Sequence, residues 1–379
     1  MKKCIVISDS FKGTLSSLEI CDIARQSVPR FFPECQVVTV PVADGGEGTV
    51  ECFVEAIQAQ PVTVEVSGPY GEKIQATYAR SGSRAVVEMA CAAGLPMVGE
   101  HRDPETTTTY GVGEVIRHAV EQGCDQILLG LGGSATNDGG CGAAAALGAR
   151  FYDEQGRSFV PAGGTLEKIS RIDLSGLLPA LRNVKVTVMC DVENPLYGPT
   201  GAAHIFGPQK GADAAMVERL DRGLRALDAA FQRDLGLSLA QMPGAGAAGG
   251  MGAGCVAFLG AELKSGIEAV LDMVEFDRTL EGADLVLTGE GRIDSQSVHG
   301  KVISGIAKRT KPRGVPLVAI VGGIAQGAEE AYDLGVTAMF GIDREAVAFS
   351  EYAHRTRENY QRTLEDILRL IRAVEQRKA

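Results

Sequence analysis

Residues 130–142 form a glycine-rich segment of a kind that can hold an anion. The segment reads GLGGSATNDGGCG, follows the apolar run 127–129 and precedes the alanine-rich run 143–149. Glycine lets the backbone approach an anion closely, and free N–H groups at a helix N-terminus bind it. The spacing fits neither the GxxxxGK[ST] loop nor GxGxxG. A tight turn that packs a helix against a sheet is the alternative. The predicted phosphate contacts are Gly132, Gly133, Ser134, Thr136 and Asn137.

Four further polar loops each follow an apolar run of strand character. They occupy residues 8–14, 42–49, 288–294 and 322–323. In a parallel sheet, such loops emerge at the same edge, so their carboxylates, lysine and arginine would converge on one crevice. Isolated acids in these positions would more often cap helices. Four such loops at one edge favour a binding site.

The first two of these loops carry a lysine and two acids. Lys12 lies among glycine and hydroxyl residues, where it either meets a phosphate or carboxylate as a compact charge or is a solvated loop lysine. Asp44 and Glu47 flank a pair of glycines. Carboxylates in such a turn suit Mg²⁺, and an Asx-type turn is the alternative.

The third loop and a later strand end supply further acids. Glu290 and Asp294 lie on either side of Arg292, an arrangement that either holds metal and phosphate together or forms a local salt-bridged turn. Asp191 follows the apolar run 184–189. An acid at a strand tip can accept a proton from a substrate hydroxyl, whereas capping of the turn before Asn-Pro is the alternative. The run 243–252, which has almost no side chains, either lets a ligand approach the main chain or acts as a flexible hinge.

The elements that must position these residues alternate between strand and helix patterns near both chain ends. Predicted strands are Cys4–Ser8, Gln36–Val42, Asp284–Thr288, Pro316–Val321 and Val336–Gly341. Predicted helices are Leu18–Phe31, Val50–Ala59, Lys301–Lys308, Ala328–Leu334 and Phe349–Arg377. This alternation predicts an α/β fold with a parallel sheet covered on both faces. We expect residues 1–64 and 282–379 to form one discontinuous domain and residues 65–281 to be inserted into it, with the active site in the cleft between them.

Charge and cysteine usage narrow the class of protein. The 379-residue chain carries a formal net charge of −11, which disfavours nucleic acid and anionic membranes as partners. Its nine cysteines are scattered, without CxxC or a Cys/His cluster, so we expect reduced thiols rather than disulfides or zinc. No signal peptide and no membrane-length apolar stretch is apparent. These features predict a cytoplasmic protein and leave its oligomeric state open.

Taken together, the motifs resemble the bacterial glycerate kinase family, which is distinct from the ribokinase-like and plant-type glycerate kinases. The matching stretches run in order along nearly the whole chain: SDSFKGTLSS at 8–17, PVADGGEGT at 41–49, TTTYGVGE at 107–114, GLGGSATNDGG at 130–140, 190–196, FGPQKGA at 206–212, 243–250 and LTGEGRIDSQSVHGK at 287–301. The resemblance implies a Rossmann- or flavodoxin-like domain with an inserted α/β domain. It also implies phosphorylation of D-glycerate by ATP with Mg²⁺, giving 2-phosphoglycerate.

In-line phosphoryl transfer then suggests a role for each candidate residue. The amides of residues 132–137, with Gly289 and Gly291, would bind ATP phosphates. The metal ligands would come from Asp44, Glu47, Glu290 and Asp294. Lys12 and Arg292 would neutralise the glycerate carboxylate or the moving phosphoryl group. Asp191 is the first choice for the base, and Asp294 the second. The residues alone do not fix which hydroxyl reacts.

Two other functions deserve comparison. A nicotinamide-dependent hydroxy-acid dehydrogenase would need a dinucleotide fingerprint directly after a strand, and neither residues 8–14 nor residues 130–142 have that spacing. A small-acid sensor without turnover would need fewer phosphate-type loops than this chain carries. Release of ADP from ATP in the presence of glycerate and Mg²⁺ separates the kinase from both.

Overall fold

The computed structural model describes residues 1–11, 13–42, 48–294, 302–344 and 353–377. Lys12, Asp44 and Glu47 therefore lie outside the described residues. The chain divides into two units. Unit 1 comprises Met1–Ala43, Glu55–Ile57 and Val270–Ala379, and unit 2 comprises Asp44–Val54 and Gln58–Ala269. No helix within the described ranges has both the length and the apolar character needed to span a membrane.

Strands and helices alternate through most of the chain. The strands are β1 Lys3–Ser8, β2 Gln36–Pro41, β3 Gln60–Ser67, β4 Lys73–Ser81, β5 Arg84–Glu88, β6 Gln126–Gly130, β7 Arg150–Tyr152, β8 Ser158–Phe159, β9 Arg171–Asp173, β10 Lys185–Met189, β11 Glu262–Lys264, β12 Leu285–Thr288, β13 Leu317–Val321 and β14 Val336–Gly341. The helices are α1 Ser17–Phe31, α2 Thr49–Ala56, α3 Ala90–Ala93, α4 Tyr110–Glu121, α5 Cys141–Ala146, α6 Ala202–Phe206, α7 Ala214–Leu235, α8 Ala247–Leu259, α9 Gly266–Met273, α10 Phe276–Thr279, α11 Val302–Thr310, α12 Glu330–Leu334 and α13 Thr356–Gln376.

Unit 1 contains a five-stranded sheet in the order β14-β13-β12-β1-β2. Every neighbouring pair is parallel, which confirms the predicted parallel sheet. β1 and β13 are buried along nearly their whole length, because helices cover such sheets on both faces. The carboxyl ends of β1, β2, β12 and β13 lie at one edge, where the four polar loops begin.

Unit 2 contains a six-stranded sheet in the order β11-β10-β6-β5-β4-β3. The first four strands are parallel, and the hairpin β3–β4 extends the sheet antiparallel. A small antiparallel sheet, β8-β7-β9, accompanies it. Apolar side chains on the central strands, such as Val87, Leu129 and Val188, pack with Ile116 and Met251 in a fully buried core.

The bounds of two helices differ from the predicted ones. α2 ends at Ala56 rather than at residue 59, because Gln58 adopts a left-handed φ of 50° that a helix cannot contain. The last helix is described from Thr356, and residues 345–352 lie outside the description. None of the nine cysteines forms a disulfide, and seven of them are buried.

Candidate active site

A pocket in unit 2 brings the glycine loop next to the tip of β10. β6 and β10 are parallel neighbours with Met189 paired to Gly130, so the segments that follow them leave the sheet side by side. The pocket has a volume of about 270 Å³. Its lining includes Gly132, Gly133, Ser134, Asp191, Lys210 and Ala248. Three of the predicted phosphate contacts and the predicted base thus lie in one pocket.

Lys210 supplies a buried cation to this pocket. Its side chain is only 2% exposed, and its Nζ donates hydrogen bonds to Ser134 Oγ at 2.8 Å and to the Thr136 carbonyl at 2.7 Å. Burial lowers the pKa of Lys210 to about 7, and the nearby charge of Asp138 opposes this shift. An ammonium group has three N–H donors, so one donor remains beyond these two contacts.

Lys210 was not among the site residues predicted from the sequence. The one sequence feature that could have indicated it is that Lys210 is the lone charged residue of the glycine-containing stretch 206–212. Gly211 has a φ of +97°, and a Cβ there would lie 2.4 Å from the Arg102 carbonyl. Only glycine fits this turn, which directs the chain so that the preceding lysine is buried.

Asp138 occupies the position where the sequence analysis placed an anion. Its fully buried carboxylate accepts hydrogen bonds from Thr109 N and Oγ1, both at 2.8 Å, and from the amides of Gly140 and Gly142 at 3.0 and 3.2 Å. The amide of Ala143 donates to Thr109 Oγ1 at 2.9 Å. Burial raises the pKa of Asp138, and its hydrogen bonds act against that shift. The N-terminal amides of α5 are therefore already used by protein groups.

Thr109 directly precedes α4 in the chain. Its side chain nevertheless makes no capping hydrogen bond to α4. Its hydroxyl accepts a hydrogen bond from the first turn of α5 instead, because packing brings the starts of α4 and α5 together. Any ligand contact of the glycine loop must consequently come from its first half.

That first half, residues 132–137, has unused hydrogen-bonding capacity. The loop is fixed by the bonds Leu95 N to Gly133 O at 2.7 Å and Ala135 N to Ala93 O at 2.9 Å. Within the described chain, Thr136 Oγ1 and both amide atoms of Asn137 are buried without a hydrogen-bond partner. Buried polar atoms are nearly always bonded, so such atoms beside a pocket are typical of a site that binds a polar ligand.

The glycine run 243–252 packs directly behind this loop. Ala248, Gly249 and Gly250 have left-handed φ values of 53°, 68° and 89°, which interrupt α8. A Cβ at Gly249 would lie 2.1 Å from the Thr136 carbonyl, and the Gly139 amide donates to the Gly249 carbonyl at 3.0 Å. The run therefore packs against the glycine loop, and approach of a ligand to its main chain remains a prediction.

Asp191 borders the pocket and also caps a helix. Its Oδ1 accepts a hydrogen bond from the amide of Gly266, the first residue of α9, at 2.8 Å. A Cβ at Gly266 would lie 2.7 Å from Oδ2, so glycine is what allows this approach. The side chain is exposed at the pocket. Asp191 thus binds the start of α9, a distant contact that the turn-capping alternative did not include, and the same residue borders the pocket.

A second group of predicted residues lies in unit 1, on the loop after β12. Glu290 is buried at 6% exposure, Arg292 is exposed and Asp294 is partly exposed. The loop backbone is held at both sides, since Gly289 O accepts from Asp9 N at 2.9 Å and Glu290 O from Gly322 N at 3.1 Å. The ends of β1, β12 and β13 are thereby tied together, as the parallel-sheet argument predicts.

Gly289 itself fits where no side chain would. A Cβ at this position would lie 2.0 Å from the Ile320 carbonyl. Its neighbour Gly291 also approaches β13, because a Cβ at Gly322 would lie 2.2 Å from the Gly291 carbonyl. These glycines have a packing function that the structure explains directly, and a ligand contact remains a prediction.

The metal ligands remain a prediction too. Within the part of the chain that the structure describes, no group of three or more His, Cys, Asp or Glu side chains could hold a metal ion. Magnesium beside phosphates needs only one or two carboxylates, and the carboxylate of Glu290 at the sheet edge fits that requirement. Asp44 and Glu47, the other predicted ligands, are outside the described residues, as is Lys12.

The chain is similar to known proteins along nearly its whole length. A model of the glycerate kinase family matches residues 4–372. The glycerate 2-kinase of Escherichia coli K12 is 46% identical over 343 residues, covering 90% of both proteins. The glycerate kinase of Bacillus subtilis 168 is 44% identical over 368 residues, covering 96% of each.

A solved structure agrees with the sequence relatives. The crystal structure of a Salmonella typhimurium LT2 protein assigned as glycerate kinase 2 superimposes with a TM-score of 0.87 at 42% identity, covering 99% of each chain. Matches of this length and identity extend through both units. The chain therefore belongs to the glycerate kinase family and is a kinase.

Proposed function

We propose that this protein transfers the γ-phosphoryl group of ATP to the 2-hydroxyl of D-glycerate, with Mg²⁺ and 2-phosphoglycerate as the product. The observation that carries the proposal is the unit 2 pocket, in which a glycine loop, a buried lysine and an exposed carboxylate meet. The relative from Escherichia coli is named glycerate 2-kinase, which supports the 2-hydroxyl as acceptor.

Binding of the phosphates is assigned to the first half of the glycine loop. Gly132 and Gly133 line the pocket, and Thr136 and Asn137, which follow in the same loop, have buried polar atoms without a hydrogen-bond partner. Lys210 adds positive charge fixed by two hydrogen bonds. Fixed dipoles and charge stabilise a transferring phosphoryl group without reorganisation during the reaction.

Asp191 is assigned as the group that accepts the hydroxyl proton. A general base must approach the reacting hydroxyl within hydrogen-bonding distance. The amide of Gly266 orients the Asp191 carboxylate through Oδ1, while the residue borders the pocket. Asp294 in unit 1 is the second candidate, as it follows the Gly289–Arg292 loop.

The loops of unit 1 are assigned to binding of Mg²⁺ and to neutralisation of negative charge on the substrates. Glu290 is a suitable magnesium ligand, with Asp44 and Glu47 as further candidates, and Gly289 and Gly291 as phosphate contacts. When bound there, Mg²⁺ would supply positive charge that neutralises the phosphates. Arg292 and Lys12 would balance the carboxylate of glycerate or the moving phosphoryl group.

The test is a product assay with the full chain. The protein, ATP, Mg²⁺ and D-glycerate are incubated, ADP release is followed by a coupled assay, and ³¹P NMR identifies the phosphate ester. We expect ADP release that requires D-glycerate and the metal, together with the resonance of 2-phosphoglycerate. A 3-phosphate product would refute the 2-hydroxyl assignment, and ADP release independent of glycerate would refute the proposed acceptor.

A further inference from the structure

Three non-glycine residues in the described chain have a left-handed backbone: Gln58, Ala248 and Glu275, with φ values of 50°, 53° and 51°. Gln58 and Glu275 are exposed at turns. Ala248 differs, because it lines the unit 2 pocket. A non-glycine residue in this conformation is strained, and such strain is found preferentially at functional sites.

The neighbours of Ala248 show that glycine is readily used in this turn. Gly249 and Gly250 follow it with the same handedness, and both are buried against the glycine loop and its surroundings. Gly249 has no space for a side chain, since a Cβ there would lie 2.1 Å from the Thr136 carbonyl. Ala248 is partly exposed and lines the pocket, so a change in the size of its side chain would change the size of the pocket.

We infer that Ala248 determines the size of the acid that this pocket accepts, with its methyl group occupying space that a longer hydroxy acid would need. The inference rests on the proposed function, because it assigns part of the pocket to glycerate. Glycine at this position would remove the strain and widen the pocket. One methylene of pocket space typically changes selectivity about 10- to 200-fold.

Two substitutions change the size of the wall in opposite directions. Ala248→Gly widens the pocket, and Ala248→Asn narrows it with a side chain that tolerates left-handed backbone better than most. Gln58→Gly is the matched control, because it relieves the same backbone strain in the same unit at an exposed turn. Each variant is assayed for kcat/KM with D-glycerate and with its four-carbon analogue 2,3,4-trihydroxybutanoate.

We expect Ala248→Gly to raise the four-carbon to three-carbon ratio of kcat/KM by about tenfold or more. Ala248→Asn should lower kcat/KM for D-glycerate by about tenfold or more while the KM for ATP changes less than the KM for glycerate. Gln58→Gly should leave the ratio unchanged. The melting temperature of Ala248→Gly should equal or exceed that of the unsubstituted protein by up to about 3 °C, because strain is removed.

A different set of results would overturn the inference. The Ala248 methyl also packs against the apolar core of unit 2. If packing is its sole contribution, Ala248→Gly will melt at a lower temperature and keep the unsubstituted substrate ratio. Failure of the proposed function is distinguishable, because then the unsubstituted protein would not phosphorylate D-glycerate at all.

Discussion

Replacement of Lys210 by methionine separates the effect of this buried charge on the free energy of unfolding from its effect on catalysis. Methionine keeps an unbranched side chain of similar length but removes the ammonium group. The pKa of Lys210 falls from 10.5 to about 7, a difference of about 3.5 units. At about 1.36 kcal/mol per unit, burial of the protonated form of this lysine costs the folded protein on the order of 5 kcal/mol.

The substitution also removes two hydrogen bonds. Ser134 Oγ and the Thr136 carbonyl lose their donor, at about 1–3 kcal/mol for each buried acceptor left unbonded. The gain and the loss nearly cancel, so we expect the free energy of unfolding at pH 7 to change by no more than about 3 kcal/mol. The group's folded-state pKa lies below its unfolded value. Its destabilising effect is therefore complete below pH 7 and disappears between pH 7 and about pH 10.5.

Activity should respond much more strongly than stability. A hydrogen bond from a charged donor contributes about 1.5–3 kcal/mol, so the loss of one ligand contact predicts a decrease in kcat/KM of about 10- to 150-fold. Coupled ADP release measures KM separately for ATP and D-glycerate, which identifies the anion that Lys210 contacts. Urea unfolding gives the stability of the same samples.

The control is Lys168→Met, which removes an exposed lysine from the same unit and should leave both readouts unchanged. A Lys210→Met protein that folds and retains kcat/KM within threefold for both substrates would refute the assignment of Lys210 to ligand binding.

Three other predictions follow from the same geometry. The KM for the anion bound by Lys210 should rise above pH 7, by up to about tenfold per pH unit, as that lysine loses its proton; a flat KM from pH 6 to 9 would contradict this. Asp191→Asn removes the proposed base, so kcat should fall about a hundredfold or more, and it keeps the acceptor at Oδ1, so stability should change little. Asp191→Ala also loses the hydrogen bond from Gly266 and should lower the free energy of unfolding by about 1 kcal/mol. Near-normal turnover of the asparagine variant in the coupled assay would exclude Asp191 as base. Gly260→Ala should lower the free energy of unfolding by about 1–2 kcal/mol, since it adds only backbone strain. Gly249→Ala should lower it by about 1–3 kcal/mol more, because its Cβ also collides with the Thr136 carbonyl. Equal unfolding midpoints of the two variants in urea would show that the glycine loop can move aside.

Much of the fold followed from local patterns. The five unit 1 strands were each predicted within two residues of their observed bounds, because continuous apolar runs between turn residues specify buried parallel strands. Their shared edge followed from parallel pairing alone. The glycine loop and Asp191 were selected as candidates from composition and position, and the structure places both just after strands that pair in register.

Sequence alone determined the five strands of unit 1, the loops that follow them and the residue types that those loops offer, because these depend on periodicity and turn chemistry within a few residues. Tertiary structure decided which groups meet. Lys210 contacts residues 74 and 76 positions away, and Asp138 fills the start of α5 with help from Thr109, 29 positions away. Burial and the pKa of a charged group depend on such distant packing, and no local pattern encodes it.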